Sequence, residues 1–146
     1  MRKKRNGAAD RKGYFTAMAG EFFVLEKLYR LGHVATLTLG NAKSIDILAR
    51  TRRGLREVSV KAICGGGKWG VDRSNVAKRG ELVYVLLHYR AFHEVGAQPD
   101  VFVIPAAEVQ KLKRGWLNGA KAIYCSNQAH RKRIERFRDR WDLIEA

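Results

Sequence analysis

Two short apolar segments, joined by the four residues TRRG (51–54), limit the fold of this 146-residue chain more than any other feature. The first, SIDILAR (44–50), and the second, LREVSVKAI (55–63), are rich in β-branched residues. A short polar connection that contains glycine is typical of a hairpin between two such strands. The sequence therefore predicts an antiparallel pair in which Arg50 lies opposite Leu55.

Each of these predicted strands carries one charge inside an otherwise apolar run, Asp46 in the first and Lys61 in the second. Charged side chains are rarely buried without a partner. Strand alternation puts Glu57, Ser59 and Lys61 on one face, and the predicted pairing puts Asp46 opposite Ser59. Lys61 then lies diagonal to Asp46, within reach of a long side chain. The two charges form either a functional group or a purely structural ion pair.

A third charge of interest lies in the segment from about Thr16 to Leu31, which predicts a helix that ends at Gly32. One face of this helix is predicted to be an apolar stripe of Met18, Glu21, Phe22, Leu25 and Leu28. Glu21 is the one charged residue in that stripe. Glu21 either flanks the stripe and reaches solvent or meets Asp46 and Lys61 at one edge of the sheet.

A group of two carboxylates and one lysine has a definite chemistry. Glu21 and Asp46 can hold Mg²⁺ through oxygen atoms, while waters and a substrate phosphate complete the octahedron. The metal would lower the pKa of a bound water, and Lys61 would orient that water or stabilise the transition state.

The remaining segments predict one α/β domain with a central mixed β-sheet of about four to five strands flanked by helices. Two further strands are predicted in ELVYVLLHYRA (81–91) and DVFVIP (100–105), and HVATLTL (33–39) leads from the first helix to a Gly-Asn turn. Helices are predicted at 106–115 and from about Asn127 to Trp141, and the glycine-rich segment 64–80 is expected to be a mobile surface loop. Residues 1–13 are predicted to be a flexible basic arm and residues 14–146 a single domain.

The charge of the chain is strongly unbalanced and concentrated near its two ends. The net charge is +15, of which residues 1–13 carry +5 and residues 111–141 carry +8. Such a distribution favours a nucleic acid as partner, with a solvated basic surface as the alternative. No apolar run approaches the roughly 20 residues that cross a bilayer. Two cysteines outside any CxxC pair indicate reduced thiols in a cytoplasmic protein.

Two basic segments supply candidate nucleic-acid contacts. In the glycine-rich loop these are Lys68, Trp69 and Arg73, and in the tail helix they are Arg131, Lys132 and Arg133. Trp69 either stacks on a base or anchors the loop to the domain. The tail helix either follows phosphates or presents a solvated face above Ile134, Phe137 and Trp141.

Taken in order, Glu21 after Gly20, Asp46 in SIDILAR and Lys61 in VSVKA resemble the PD-(D/E)xK nuclease superfamily. The likeness is to its small restriction-like and Holliday-junction-resolvase-like members, and it covers roughly residues 13–115. It implies a restriction-endonuclease-like fold, dependence on Mg²⁺ with Mn²⁺ as a substitute, hydrolysis of DNA phosphodiester bonds, and a homodimer. Asp46 then matches the metal-binding aspartate, Lys61 the signature lysine and Glu21 the helix glutamate.

One position departs from this pattern, because Ser59 stands two residues before Lys61 where the family has an acid or glutamine. A hydroxyl is a poor ligand for Mg²⁺. The main hypothesis is a metal-dependent DNA endonuclease, which acts on branched or otherwise structured DNA, with Ser59 as part of its site. The alternatives are a nucleic-acid-binding module of the same fold that no longer cuts, and a basic RNA-binding protein.

Overall fold

The computed structural model describes residues 7–38, 45–71, 81–115 and 122–145. The elements run in the order α1 (Gly7–Arg30), β1 (Val34–Leu37), β2 (Ile47–Thr51), β3 (Gly54–Cys64), β4 (Lys68–Gly70), β5 (Leu82–Tyr89), β6 (Asp100–Pro105), α2 (Ala106–Gly115), β7 (Ala122–Tyr124) and α3 (Gln128–Ile134). Two 3₁₀ helices, Glu135–Phe137 and Trp141–Glu145, follow α3.

The central sheet has five strands in the order β1-β2-β3-β5-β6, which confirms the predicted mixed sheet flanked by helices. Only β3 and β5 are parallel to each other, and the other neighbours are antiparallel. The predicted hairpin register is confirmed, since Arg50 pairs with Leu55. A second sheet of two strands, β4 and β7, was not predicted.

Two apolar clusters cover the two faces of the central sheet. On one face α1 packs Val24 and Leu28 against strand residues such as Val58 and Val85. On the other face α2, the small β4–β7 sheet and α3 cover a cluster that includes Trp69 and Phe102. Helices and strands on both faces bury the sheet, as its long apolar strand β5 requires.

Helix α1 differs from the prediction in its start and in its buried face. It begins at Gly7, so residues 7–13 of the predicted arm are helical, and residues 1–6 lie outside the described residues. Its buried positions are four residues apart, at Gly20, Val24 and Leu28, whereas Phe22 is 55% exposed. The predicted stripe through Phe22 is therefore wrong, and Glu21 lies half-buried at the margin of the packed face.

The tail is a broken helix rather than the continuous one that we predicted. After Phe137 the chain extends at Arg138, which forms an isolated bridge with Phe102. Asp139 then adopts a φ of 51° and donates its backbone N–H to Val101 O at 3.0 Å. Pairing with β6 at this point replaces the next turn of helix. No helix within the described part of the chain is both long and apolar enough to cross a membrane.

Candidate active site

The candidate site lies where strand β3 extends beyond its neighbour β2. The pairing of these strands ends at Ile47 and Val58, whereas β3 continues alongside β5 as far as Cys64. From Val60 onward β3 therefore has a hydrogen-bonded strand on one side only, within the residues that the structure describes. This unpaired side of β3, residues 60–64, is called the open edge below.

Asp46 closes the first position of the open edge with its side chain. Its backbone N–H donates to Val58 O at 3.0 Å, and its Oδ2 accepts the N–H of Val60 at 2.7 Å. A carboxylate thus takes the place of the next rung of the β2–β3 ladder. The Val60 N–H therefore fixes the position of the Asp46 carboxylate beside the open edge.

Glu21 reaches the open edge because α1 packs unusually close to the sheet at Gly20. A Cβ built on Gly20 would lie 2.7 Å from Cβ of Ala62 and 3.2 Å from Cδ1 of Leu87. Only glycine permits this approach, since real Cβ atoms do not come so close. The contact fixes the next residue, Glu21, above the end of β3.

The charges of Asp46 and Lys61 both act on Glu21. Burial raises the pKa of Glu21 above its ordinary value, the Asp46 carboxylate raises it further, and the Lys61 ammonium opposes both effects. The three residues that we predicted to meet are therefore neighbours. They approach the open edge from both sides, because α1 lies over Val60 and Ala62 whereas strand alternation puts Lys61 on the opposite face.

Ser59, the predicted departure from the family pattern, is fully buried. It pairs with Tyr84 of β5, on the face away from α1. Its Oγ is buried, and no described group hydrogen-bonds to it. Ser59 is therefore next to the site in sequence but is covered by the apolar cluster on its own face.

The described residues do not include a group of three or more His, Cys, Asp or Glu side chains suited to a metal ion. Two carboxylates, Glu21 and Asp46, are what the open edge offers. This pair fits a hard cation that keeps several waters and binds substrate phosphate, as Mg²⁺ does. Burial and the Asp46 charge raise the pKa of Glu21, and a cation bound between the two acids would oppose that shift and favour the ionised carboxylate.

The three nucleic-acid contacts predicted in the glycine-rich segment differ in their exposure. Lys68 is exposed on β4, with its Nζ 5.8 Å from the ring centroid of Tyr124. Trp69 is fully buried and donates its Nε1–H to Leu87 O at 3.0 Å, so stacking on a base is excluded in this conformation and Trp69 anchors β4. Segment 64–80 is thus not a loop throughout. Arg73 lies outside the described residues.

The basic residues of α3 are also of two kinds. Lys132 and Arg133 are exposed, as a phosphate contact requires. Arg131 is partly buried instead, and its guanidinium donates to His88 Nδ1 at 3.2 Å, to Cys125 Sγ at 3.1 Å and to Asp100 Oδ2 at 3.3 Å. Arg131 therefore holds α3 to the ends of β5 and β6 rather than presenting its charge to solvent.

The cluster of arginines around Asp100 could not be predicted from the sequence. Arg90, Arg131 and Arg138 all donate to its carboxylate, at 2.8, 3.3 and 3.0 Å respectively. Burial alone would raise the pKa of Asp100, but the hydrogen bonds and charges of Arg90 and Arg138 outweigh it and lower the pKa to about 2. These arginines come from three separate segments, so local spacing could not have identified the cluster.

A solved structure shares this fold of a five-stranded mixed sheet flanked by helices. It is the bacterial homing endonuclease I-Ssp6803I, with a TM-score of 0.55 over 89% of this chain and 88% of that one. Sequence identity is 16%, so the likeness establishes a common fold. No protein-family model matches the chain. No curated protein matches it in sequence either.

Proposed function

We propose that the chain is a metal-dependent DNA endonuclease with its active site at the open edge. The observation that carries the proposal is the grouping of Glu21, Asp46 and Lys61 around an unpaired stretch of β3. The strongly basic chain suits a polyanionic substrate, and the fold is shared with a protein described as a homing endonuclease. The PD-(D/E)xK assignment and the preference for branched or structured DNA are part of the proposal.

In the proposed mechanism, Glu21 and Asp46 would hold one divalent cation, Mg²⁺ or Mn²⁺. When bound, this ion supplies charge neutralisation at the scissile phosphate and a water of lowered pKa. The Lys61 ammonium orients the attacking water and stabilises the negative charge that develops on the phosphoryl oxygens. The Val60 N–H holds the Asp46 carboxylate in place, so its orientation at the open edge is fixed.

The test is cleavage of linear, branched and single-stranded DNA with Mg²⁺ or Mn²⁺, using the wild type, Asp46→Ala and Lys61→Ala. Glu26→Gln is the control. Glu26 lies on α1 like Glu21, but it is exposed and forms an ion pair with Arg30 at 3.2 Å. Both site variants should lose cleavage while the control retains it. Titration of Mn²⁺ followed by its paramagnetic resonance supplies a separate readout, and Asp46→Ala should weaken that binding. Equal cleavage by the wild type and both site variants would show that the site is elsewhere.

The alternative function is a nucleic-acid-binding module of the same fold that does not cut. The observation in its favour is Ser59, which supplies no carboxylate and is covered by apolar side chains. Tight, salt-dependent binding without cleavage under any metal condition would favour this alternative. Ser59→Glu then has to place a carboxylate in the apolar cluster, so we expect it to destabilise the fold before it improves metal binding. This expectation replaces the simple gain of a ligand that the sequence pattern suggests.

We also propose that two copies act together on a duplex and that the protein works in the cytoplasm. The first proposal rests on the resemblance described above, and the second on two unpaired thiols, Cys64 and Cys125. Sedimentation equilibrium with and without duplex DNA tests the first, since a dimer would show twice the mass of the 146-residue chain.

A further inference from the structure

A groove of about 410 Å³ continues from the candidate active site along the end of β3. One wall is the second and third turns of α1, with Lys12 and Thr16, and the other is the segment that runs from β3 into β4, with Gly66 and Lys68. Its floor includes Ala62, the residue after Lys61. The groove therefore begins at the open edge, one residue along β3 from Lys61.

The ionisable charges that line the groove are both positive at neutral pH. Lys12 and Lys68 are exposed and stand on opposite walls, and no acidic residue lines the groove within the described residues. Two cations across a cleft concentrate positive potential there, which attracts an anion between them. The site itself contains two acids, so the polarity of the surface reverses over a short distance from Glu21 and Asp46 to this groove.

Gly66 leaves open space on the wall of the groove. Gly65 and Gly67 adopt positive φ angles of 73° and 152°, which other residues rarely adopt, but Gly66 does not. A Cβ on Gly66 would meet nothing within 4 Å. The space beside the Gly66 backbone is therefore open to a ligand that approaches it closely.

We propose that this groove binds a backbone phosphate of the nucleic acid that adjoins the scissile one. Lys12 and Lys68 neutralise that phosphate from the two walls, and the bare backbone at Gly66 lets the strand lie against β3. This proposal rests on the proposed function, because the groove would bind the DNA strand whose scissile phosphate lies at Glu21, Asp46 and Lys61. It sets the direction in which the strand leaves the open edge.

The test measures binding of a fluorescein-labelled DNA duplex to the full chain by anisotropy, over a series of salt concentrations and without a divalent metal. The variants are Lys12→Gln and Lys68→Gln, with Arg53→Gln as the charge-matched control on the β2–β3 turn at the opposite end of the sheet. Each lysine variant should lower the slope of log K against log salt by about 1 and weaken binding roughly tenfold near 0.1 M salt. Arg53→Gln should weaken it by less than about twofold, because exposed charges are screened over about 10 Å.

A second pair of variants tests the space beside Gly66. Gly66→Glu puts a side chain and a negative charge into the groove, whereas Gly70→Glu makes the same change on β4, where a Cβ also meets nothing within 4 Å. The first should weaken binding by about tenfold and the second by less than about threefold, with unchanged thermal unfolding in both.

The outcomes separate this groove from the proposed function. If the wild type cuts DNA and the lysine variants bind like Arg53→Gln, the groove proposal is overturned and the active site is unaffected. If the wild type binds but never cuts, and the groove variants still weaken binding as described, the groove stands and the proposed cleavage is wrong. A wild type that does not bind DNA at all overturns both.

Discussion

Glu21 and Asp100 are both partly buried acids, but their surroundings shift their pKa values in opposite directions. Burial and the Asp46 carboxylate raise the pKa of Glu21, and the Lys61 ammonium only partly opposes this shift. Contacts with arginines instead lower the pKa of Asp100 to about 2. Asp100 is a satisfied anion that joins β6 to α3 and the tail. Glu21 lies in a group with an excess of negative charge, which a divalent cation would complete. The difference separates an acid that stabilises the fold from the acid that we propose as a metal ligand.

The largest expected effect comes from making the same substitution in the two regions, Asp46→Asn and Asp100→Asn. An asparagine Oδ1 can still accept the Val60 N–H, so Asp46→Asn keeps the local structure but loses the metal-binding charge. We expect at least about a hundredfold loss in cleavage rate with little loss of stability. Asp100→Asn should retain cleavage. Rates under single-turnover conditions and thermal unfolding decide the comparison, and a similar loss of rate in both variants would contradict it.

Asp100→Asn should lower the free energy of unfolding by about 1–2 kcal/mol at pH 7, because it leaves three guanidinium groups without their shared anion. The pKa of Asp100 is lowered in the fold from 3.8, so its contribution is present above pH 3.8 and is lost as pH falls through about 2. Urea unfolding at several pH values should show a difference from wild type that shrinks over that range. A difference that does not depend on pH would mean that packing, not charge, is lost.

Gly20→Ala should have a smaller effect, which lowers both the stability of the fold and the affinity of the site for metal. The added methyl group collides with Ala62, at a cost of about 1–2 kcal/mol after the better helix propensity of alanine is counted. Moving α1 outward also moves Glu21 from Asp46 and Lys61, so metal affinity should fall as well. Gly13→Ala on the same helix, where a Cβ meets nothing within 4 Å, is the control. Normal Mn²⁺ binding in Gly20→Ala would show that the close approach does not position Glu21.

Glu21→Gln should separate stability from activity. The folded pKa of Glu21 is raised, so its stabilising contribution is present below pH 4.5 and is lost as pH rises through the folded value. The glutamine variant should therefore be at least as stable as the wild type at pH 8 without metal, with a difference that disappears below pH 4.5. Its cleavage and its stabilisation by Mg²⁺ should both fall. A variant less stable than wild type at pH 8 would mean that Glu21 is a structural ion.

The smallest effect is expected from Ser59→Ala. Its buried Oγ has no described hydrogen-bond partner, so removing the hydroxyl should change the free energy of unfolding by less than about 1 kcal/mol. Cleavage should be unchanged if Ser59 only fills space beside Tyr84. A clear loss of cleavage at unchanged stability would instead include the hydroxyl in the site.

The hairpin was predictable because its register depends on a turn of only four residues, and that register places Asp46 near Lys61. Pairing between distant segments was not predictable. Strands β4 and β7 have three residues each and join segments more than fifty residues apart, so neither carries a periodic signal. The burial of Trp69 follows from that pairing. The tail likewise appears helical in sequence, and its break at Arg138 depends on Asp100 and Val101 of β6.

The open edge also bears on solubility. A strand with unsatisfied backbone groups on one side is a template for pairing with another chain, and proteins commonly protect such strands with charged side chains. Asp46 occupies the first exposed N–H, at Val60, and Lys61 adds a charge at the same place. Replacing these charges with apolar residues would thus expose an aggregation-prone strand. In the wild type, the residues proposed for catalysis would also keep copies of this sheet from joining edge to edge.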